Sequence, residues 1–86
     1  MALVNERGDD AVHSRLRQAR IESGMSRREL ADVLGIHYQT VGYLERGEYS
    51  PSLQLALRIA ELFHLPVEQI FALRPFPRIG EDVDAS

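Results

Sequence analysis

The segment RRELADVLGIHYQTVGYLER, residues 27–46, constrains the fold more than any other part of this chain of 86 residues. Its apolar residues recur at the spacing that two short helices need in order to pack against each other across a tight turn. Ala31 is small enough to let the two helix backbones approach, and Gly35 can take the positive φ angle that ends the first helix. The apolar contacts are expected from Leu30, Leu34, Ile36, Val41 and Leu44. We therefore predict a helix-turn-helix motif over this segment.

Cap residues indicate where the two helices of the motif begin and end. Ser26 is a good N-cap, and Glu29, three residues later, completes a capping box. The first helix of the motif is then expected from about Arg27 to Leu34. The second is expected from about His37 to Arg46, and it should end at Gly47.

A further helix is predicted before the motif. It should begin after Asp9 or Asp10, either of which can cap it, and it should end near residues 23 and 24. Apolar residues at positions i, i+4 and i+7 form its inner stripe, namely Val12, Leu16 and Ala19. Residues 1–8 show no sustained periodicity, so we expect a flexible N-terminal arm there.

Two more helices are predicted after the motif. Ser50 or Ser52 can cap the fourth helix, and Pro51 fits its first turn. Its buried face is expected to consist of Leu53, Ala56, Leu57, Ile59, Ala60, Leu62 and Phe63. A short fifth helix is expected from Val67 to Leu73, with Ile70 and Phe71 in the core. The predicted fold class is therefore all-α, with five helices in a domain over residues 9–73 and an extended or disordered tail over residues 74–86.

The charge of the chain is distributed unevenly. The formal net charge is −3, whereas nucleic-acid binders usually present a basic surface. Between Ala11 and Ile79, however, nine arginines stand against seven acidic residues, a surplus of two positive charges. The acidity is concentrated near the ends of the chain, in Asp9, Asp10, Glu81, Asp82 and Asp84. The negative average therefore does not exclude a surface that binds phosphate.

Several function classes are disfavoured by composition and spacing. The chain has no cysteine, which excludes a disulfide framework and a thiolate zinc site. It has no apolar run long enough to cross a bilayer and no basic leader, so we expect a soluble cytoplasmic protein. The sequence has no HExxH spacing, no Gly-rich phosphate loop and no nucleophile elbow, and its histidines fall on three separate predicted elements. We therefore expect no enzyme, no metal site and no cofactor.

The outer side of the third helix is the candidate site for reading base edges in the major groove. Its members are Tyr38, Gln39, Gly42 and Tyr43. The Gln39 amide can donate to and accept from the N6 and N7 edge of adenine. The alternative for Tyr43 is packing against the first or fourth helix. Gly42 costs about 1 kcal/mol relative to alanine in a helix interior. Either the bare backbone lets a base pair approach closely, or the position is exposed and the cost is immaterial.

Contacts to DNA phosphates are predicted at the rim of the groove. They are expected from the N-terminus of the second helix and from the segment after the third, through Ser26, Arg27, Arg28, Arg46, Tyr49, Ser50 and Ser52. The alternative for Arg28 and Arg46 is a solvated surface charge. Arg20 and Glu45 are separate from this set, because both are expected to face inward and to form a partly buried ion pair that holds the third helix.

Three segments, LADVLGI, LERGEYSPSL and LALRIAELFHLPVEQIF, are typical of the short members of one family. From about Val12 to Leu73 the chain resembles the lambda-repressor-like, Cro-type (XRE) family of bacterial and phage regulators. The resemblance implies a five-helix fold, a sequence-specific interaction with double-stranded DNA, an operator of paired half-sites and usually a homodimer. It also implies that Arg20 and Glu45 form an internal ion pair and that Arg27 contacts a phosphate. By the same resemblance, base contacts are expected from Tyr38, Gln39 and Tyr43.

The chain departs from the family pattern at the start of the third helix. His37 and Tyr38 replace the serine and arginine, or a similar polar pair, that are frequent there. The cap of this helix is therefore weaker, and the preferred bases cannot be copied from a relative.

A domain of this size reads only about five base pairs, so a second copy is expected in order to select a site. Two copies should meet through the fifth helix and its flank, where the apolar residues are Leu65, Val67, Phe71, Leu73, Phe76 and Ile79. The alternative for Phe71 and Leu73 is that they close the core of the monomer. The favoured function is a repressor that acts by occlusion, since the chain is too short to add a ligand-sensing domain. The alternative is an antitoxin whose tail, from Leu73 to Ser86, wraps a toxin while the domain represses its own operon.

Overall fold

The computed structural model describes residues 12–77, which form four α-helices and a two-stranded sheet. The helices are α1 (Leu16–Glu22), α2 (Arg27–Leu34), α3 (Tyr38–Glu45) and α4 (Leu53–Phe63). The strands are β1 (His13–Ser14) and β2 (Phe71–Ala72), and a short 3-10 helix, Val67–Gln69, precedes β2. The described part of the chain is therefore mostly helical, and none of its helices is long and apolar enough to cross a membrane.

A single apolar core connects these elements. Six side chains are completely buried in it, namely Leu16, Leu30, Val41, Leu44, Ile59 and Ile70. Partly buried side chains pack against them from the periphery, namely Met25, Ile36, Leu55, Leu62, Phe63, Val67 and Phe71. Since burial of one such large apolar side chain stabilises a fold by roughly 1.5 to 3 kcal/mol, this core holds the helices in fixed orientations.

The helix-turn-helix prediction is confirmed. The Ser26 Oγ atom accepts a hydrogen bond from the Glu29 N–H at 3.0 Å, and Glu29 Oε1 accepts one from the Ser26 N–H at 2.8 Å. These two bonds are the predicted capping box at the start of α2. Gly35 ends α2 with a φ angle of +70°, which turns the chain towards α3. The predicted inner residues Leu30, Ala31, Leu34, Val41 and Leu44 are all buried.

The start of the first helix differs from the prediction. Helix α1 begins at Leu16, whereas the sequence predicted a start after Asp9 or Asp10, two residues that lie outside the described part. The preceding residues form β1 instead, and the Ser14 Oγ atom accepts a hydrogen bond from the Leu16 N–H at 3.1 Å. The apolar stripe at helical spacing is therefore used only from Leu16 onwards.

The predicted fifth α-helix, from Val67 to Leu73, is wrong. Only Val67–Gln69 is helical, as a 3-10 turn, and the chain then continues into β2. His13 pairs with Ala72 and Ser14 pairs with Phe71, in antiparallel register. The Arg15 N–H adds a hydrogen bond of 2.8 Å to the Ile70 carbonyl oxygen. This pairing joins distant parts of the chain, so no local hydrophobic period indicates it.

Helix α4 begins as predicted, and its buried face is narrower than predicted. Ser52 is its N-cap, and the Ser52 Oγ atom accepts a hydrogen bond from the Leu55 N–H at 3.1 Å. The predicted inner residues Leu53 and Leu57 are 74% and 50% exposed. The predicted residues Ala56, Ile59 and Ala60 are buried. Leu53 and Leu57 also fit the helical period, so the period alone does not exclude them from the buried face.

The first residues of the predicted tail contact the domain. Residues 74–77 have neither helix nor strand. The Arg15 guanidinium lies 4.4 Å from the centre of the Phe76 ring, and Arg15 Nη2 donates a hydrogen bond to the Pro77 carbonyl oxygen at 3.1 Å. The predicted N-terminal arm, residues 1–8, and the rest of the predicted tail, residues 78–86, lie outside the described part.

Candidate nucleic-acid interface

The outer surface of α3 contains most of the predicted base-reading residues. Tyr38 and Tyr43 are 44% and 46% exposed, and Gln39 is also exposed. They surround a shallow depression of about 170 Å³, whose lining is formed by Arg27, Tyr38, Gln39, Gly42, Tyr43 and Arg46. We call this depression and its lining the α3 surface. Two predicted phosphate-binding arginines therefore lie beside the predicted base-reading side chains.

The rotation of α3 is fixed by residues on its opposite side. Val41 and Leu44 are completely buried in the apolar core. Glu45, one residue further on, is also buried, and its side chain is only 1% exposed. Because these three residues face inward, the side chains at positions 38, 39 and 43 face outward.

The predicted ion pair between Arg20 and Glu45 is present. Arg20 Nε donates to Glu45 Oε2 at 2.5 Å, and Arg20 Nη2 donates to Glu45 Oε1 at 3.4 Å. Arg20 Nη1 donates to the Met25 carbonyl oxygen at 2.9 Å, so a third nitrogen of this buried side chain also has an acceptor. The pair connects α1 to the end of α3.

Glu45 has a second partner, which the sequence did not predict. Arg27 Nε donates to Glu45 Oε1 at 3.0 Å, which connects the start of α2 to the same carboxylate. Glu45 raises the pKa of Arg27 above its ordinary value, first by accepting this hydrogen bond and then by its opposite charge. Two guanidinium groups share one carboxylate, so this cluster has a surplus positive charge. Arg27 is partly exposed at the edge of the α3 surface.

Arg28 is associated with the first residue of α3. Its guanidinium carbon lies 5.0 Å from the centre of the Tyr38 ring, within the range of a cation–π interaction. Both side chains are exposed. This contact puts a positive charge beside the first predicted base-reading residue.

Arg46 folds back over α3. Its guanidinium carbon lies 5.3 Å from the centre of the Tyr43 ring, and its Nε is 3.2 Å from Glu48 Oε1. A Cβ atom built on Gly42 would stand 3.2 Å from Arg46 Nη1. Gly42 is consequently buried beneath this side chain, so the interpretation of position 42 as a plainly exposed site is wrong.

The remaining predicted phosphate contacts lie at helix starts and in the loop after α3. Ser26 and Ser52 are the N-caps of α2 and α4, where each hydroxyl oxygen accepts a backbone N–H. Each hydroxyl hydrogen remains a donor for a phosphate oxygen. Tyr49 is 49% exposed and Ser50 is exposed as well.

The predicted dimer residues have different surroundings. Val67 and Phe71 are partly buried against the core of this chain, which agrees with the alternative that Phe71 closes the monomer. Leu65 and Leu73 are exposed, Leu73 by 74%. Phe76 is partly covered and lies against Arg15. Ile79 lies outside the described residues.

The histidine and acidic side chains do not form a metal site in the part of the chain that the structure describes. No three of them come close enough together to hold a metal ion within residues 12–77. His64 adopts a φ angle of +57° at the C-terminal end of α4.

Comparison with known proteins extends these observations. Residues 16–70 match the family model described as helix-turn-helix, HTH_3. An uncharacterized HTH-type transcriptional regulator of Archaeoglobus fulgidus is 40% identical over 60 residues, which are 70% of this chain and 86% of that protein.

Two solved structures are also similar. A putative DNA-binding protein from Bacteroides fragilis has a TM-score of 0.63 at 23% identity, and the match covers 70% of this chain and 97% of that one. The restriction-modification controller protein C.AhdI from Aeromonas hydrophila has a TM-score of 0.58 at 33% identity, with 64% and 83% coverage. The first similarity concerns the fold alone, whereas the second extends to the sequence.

Proposed function

Because the chain belongs to the XRE-type helix-turn-helix family, we propose that it is a transcriptional regulator that binds double-stranded DNA sequence-specifically and acts as a repressor. The observation that carries this proposal is the α3 surface. The buried residues of α3 fix its rotation, and Tyr38, Gln39 and Tyr43 are exposed together on the opposite side. The similarity to an HTH-type transcriptional regulator and to a restriction-modification controller supports the same class of function.

The side chains of the α3 surface have the chemistry that base reading requires. An α-helix fits the major groove, where each base pair presents its own pattern of donors, acceptors and methyl groups. Gln39 carries both a donor and an acceptor, which match the N6 and N7 atoms of adenine. The rings of Tyr38 and Tyr43 can contact thymine methyl groups, and their hydroxyls can bind a base or a phosphate.

The phosphate contacts are proposed on both sides of the α3 surface. At the start of α2, the backbone N–H groups of Arg27 and Arg28 precede Leu30, the first residue whose N–H bonds to the Ser26 carbonyl. Free N–H groups at a helix N-terminus favour an anion, and both side chains add positive charge. Beyond α3, the proposed contacts are Tyr49, Ser50 and Ser52.

The repressor is proposed to act as a homodimer on a pseudopalindromic operator. One α3 reads too few base pairs to select a site in a genome, whereas two copies related by a two-fold axis read two half-sites. Leu65 and Leu73 are the exposed apolar side chains of the predicted dimer region. A bound dimer would exclude polymerase from the DNA that it covers. Within the described residues, Phe76 and Pro77 contact Arg15, and this contact does not favour the antitoxin alternative.

The decisive experiment is selection of bound duplexes from a random pool by the full chain. We expect enrichment of a sequence with two related half-sites. On that sequence the affinity should fall with salt, with a log-log slope of roughly −0.9 per phosphate neutralised. A pool that shows no enrichment at low ionic strength would rule the proposal out.

Substitution of Gln39 by alanine tests the base contact. We expect Gln39→Ala to weaken binding by about 1 to 3 kcal/mol and to relax preference at one adenine of each half-site. Gln54→Ala is a matched control, because Gln54 is an exposed glutamine on α4. If Gln39→Ala weakened binding equally on every duplex, Gln39 would be a backbone contact and would not read a base.

A further inference from the structure

We propose that Arg46 reads a guanine in the operator half-site and that Gly42 is the residue that positions it. This inference rests on the proposed function and assigns a base to the site already described. It changes the role of Arg46, for which the sequence predicted a phosphate contact. It also gives Gly42 a role, which is to leave room for the Arg46 side chain at the end of α3.

The Arg46 guanidinium lies among the base-reading side chains. Arg46 follows the last residue of α3, yet its side chain turns back by one helical turn and lies over Gly42. There it lines the same depression as Tyr38, Gln39 and Tyr43. A guanidinium in this place would enter the groove together with the base-reading residues.

The orientation of the guanidinium also suits a base contact. The ion pair with Glu48 is made by Nε, so it uses none of the N–H donors on the two terminal nitrogens. Two parallel donors match the O6 and N7 acceptors on the major-groove edge of guanine, which is the commonest specific contact of arginine in DNA recognition. The Tyr43 ring and Glu48 together restrict the side chain before DNA binds, which lowers the entropy lost on binding.

The absence of a side chain at position 42 leaves room for the guanidinium. A Cβ atom there would stand 3.2 Å from Arg46 Nη1, closer than van der Waals contact allows without a shift. The ion pair to Glu48 restrains the guanidinium only weakly against such a contact, since the two side chains are 47% and 55% exposed. An alanine at position 42 would therefore shift the guanidinium by a few tenths of an ångström and leave the rest of α3 in place.

A double-mutant cycle with Gly42→Ala and Arg46→Ala separates this positioning role from a structural one. In the presence of Arg46, we expect Gly42→Ala to weaken binding to the selected operator, by less than the roughly 5- to 150-fold cost of losing a whole bidentate base contact. In the Arg46→Ala background, the same change should have no effect on affinity. Thermal unfolding should show that Gly42→Ala folds, because alanine favours a helix more than glycine does. Equal effects of Gly42→Ala in both backgrounds would overturn the inference.

Unmodified protein provides a test that does not depend on any variant. We would replace each guanine of the half-site in turn with 7-deazaguanine, which removes the N7 acceptor and keeps base pairing. One position should weaken binding of the natural chain and leave binding of Arg46→Ala unchanged.

The outcomes distinguish the inference from the proposed function. Arg58→Ala is the control for loss of one exposed positive charge, because Arg58 lies on α4 beside Val33 and Glu61. If Arg46→Ala weakens binding equally on all duplexes, Arg46 is a phosphate contact and the inference is wrong while the proposed function stands. If the natural chain enriches no duplex, the proposed function itself fails.

Discussion

Glu45 is the residue at which the stability of the fold and the shape of the interface are coupled. Its buried carboxylate accepts hydrogen bonds from Arg20 of α1 and from Arg27 at the start of α2. A buried charge is tolerated when its partners satisfy it, and losing one partner leaves an uncompensated charge. The same carboxylate therefore stabilises the three-helix junction and orients one arginine of the α3 surface.

A substitution that removes only the charge tests this coupling. We expect Glu45→Gln to lower the free energy of unfolding by about 3 to 5 kcal/mol, because the Arg20 guanidinium, with a side chain 11% exposed, loses its counter-charge. Glu48→Gln is the matched control, since it removes an exposed partner of Arg46 and should cost at most about 1 kcal/mol. Urea unfolding followed by circular dichroism measures both values. Similar losses for the two variants would contradict the proposed importance of burial.

Contacts between side chains could be predicted from the sequence where both partners were expected to face inward. Arg20 and Glu45 each lie next to the apolar stripe of their helices, so a contact between them could be predicted. The contact of Arg27 with Glu45 could not, because Arg27 stands at a helix start where phosphate binding also explains an arginine. The contact of Arg46 with Gly42 had a usable signal, since residues four apart in a helix are neighbours.

The turn after α3 packs closely against the segment before β1. Gly47 has a φ angle of +74°, and a Cβ atom on it would stand 2.6 Å from the Val12 carbonyl oxygen. The turn therefore needs glycine for its backbone angle and also for the close approach of the segment before β1. Gly24, in the turn after α1, has the same φ angle of +74°, but a Cβ atom on it would meet no neighbouring atom within 4 Å.

These two glycines allow the cost of a left-handed backbone and the cost of the close contact with Val12 to be measured separately. Gly24→Ala should lower the free energy of unfolding by about 1 to 2 kcal/mol, the cost of a left-handed backbone for an L-residue. Gly47→Ala should lower the free energy of unfolding by about a further 1 to 3 kcal/mol, the cost of overpacking, because the methyl group meets the Val12 carbonyl. Thermal unfolding of both variants under one condition gives the comparison. Equal values would mean that the backbone near Val12 moves aside without cost.

The elements that could be predicted are those with local signals. The capping box, the glycine at position 35 and the apolar period specify α2 and α3 within a residue or two. The β1–β2 pair has no such signal, because its register depends on His13 meeting Ala72 from the other end of the domain. The rotation of α4 also depends on its neighbours, since Leu53 and Leu57 fit the helical period as well as Ile59 does.

At the scale of the whole molecule, the interface concentrates positive charge that the composition hides. The chain has a formal charge of −3, yet Arg27, Arg28 and Arg46 all lie at or beside the α3 surface. The acidic partner of Arg27 is buried, so it does not face an approaching phosphate. The negative net charge therefore does not exclude DNA binding, because the positions of the charges on the fold matter more than their sum.

The arrangement of two copies on DNA gives a prediction that depends on geometry alone. In a symmetric dimer the two α3 helices should enter successive major grooves about 34 Å apart, one turn of about 10 base pairs. Inserting five base pairs between the selected half-sites moves them to opposite sides of the duplex, and we expect the joint affinity to fall roughly 5- to 150-fold, a typical coupling between sites. Native mass spectrometry should show two chains on the original duplex. An insertion without effect would mean that each copy binds its half-site independently.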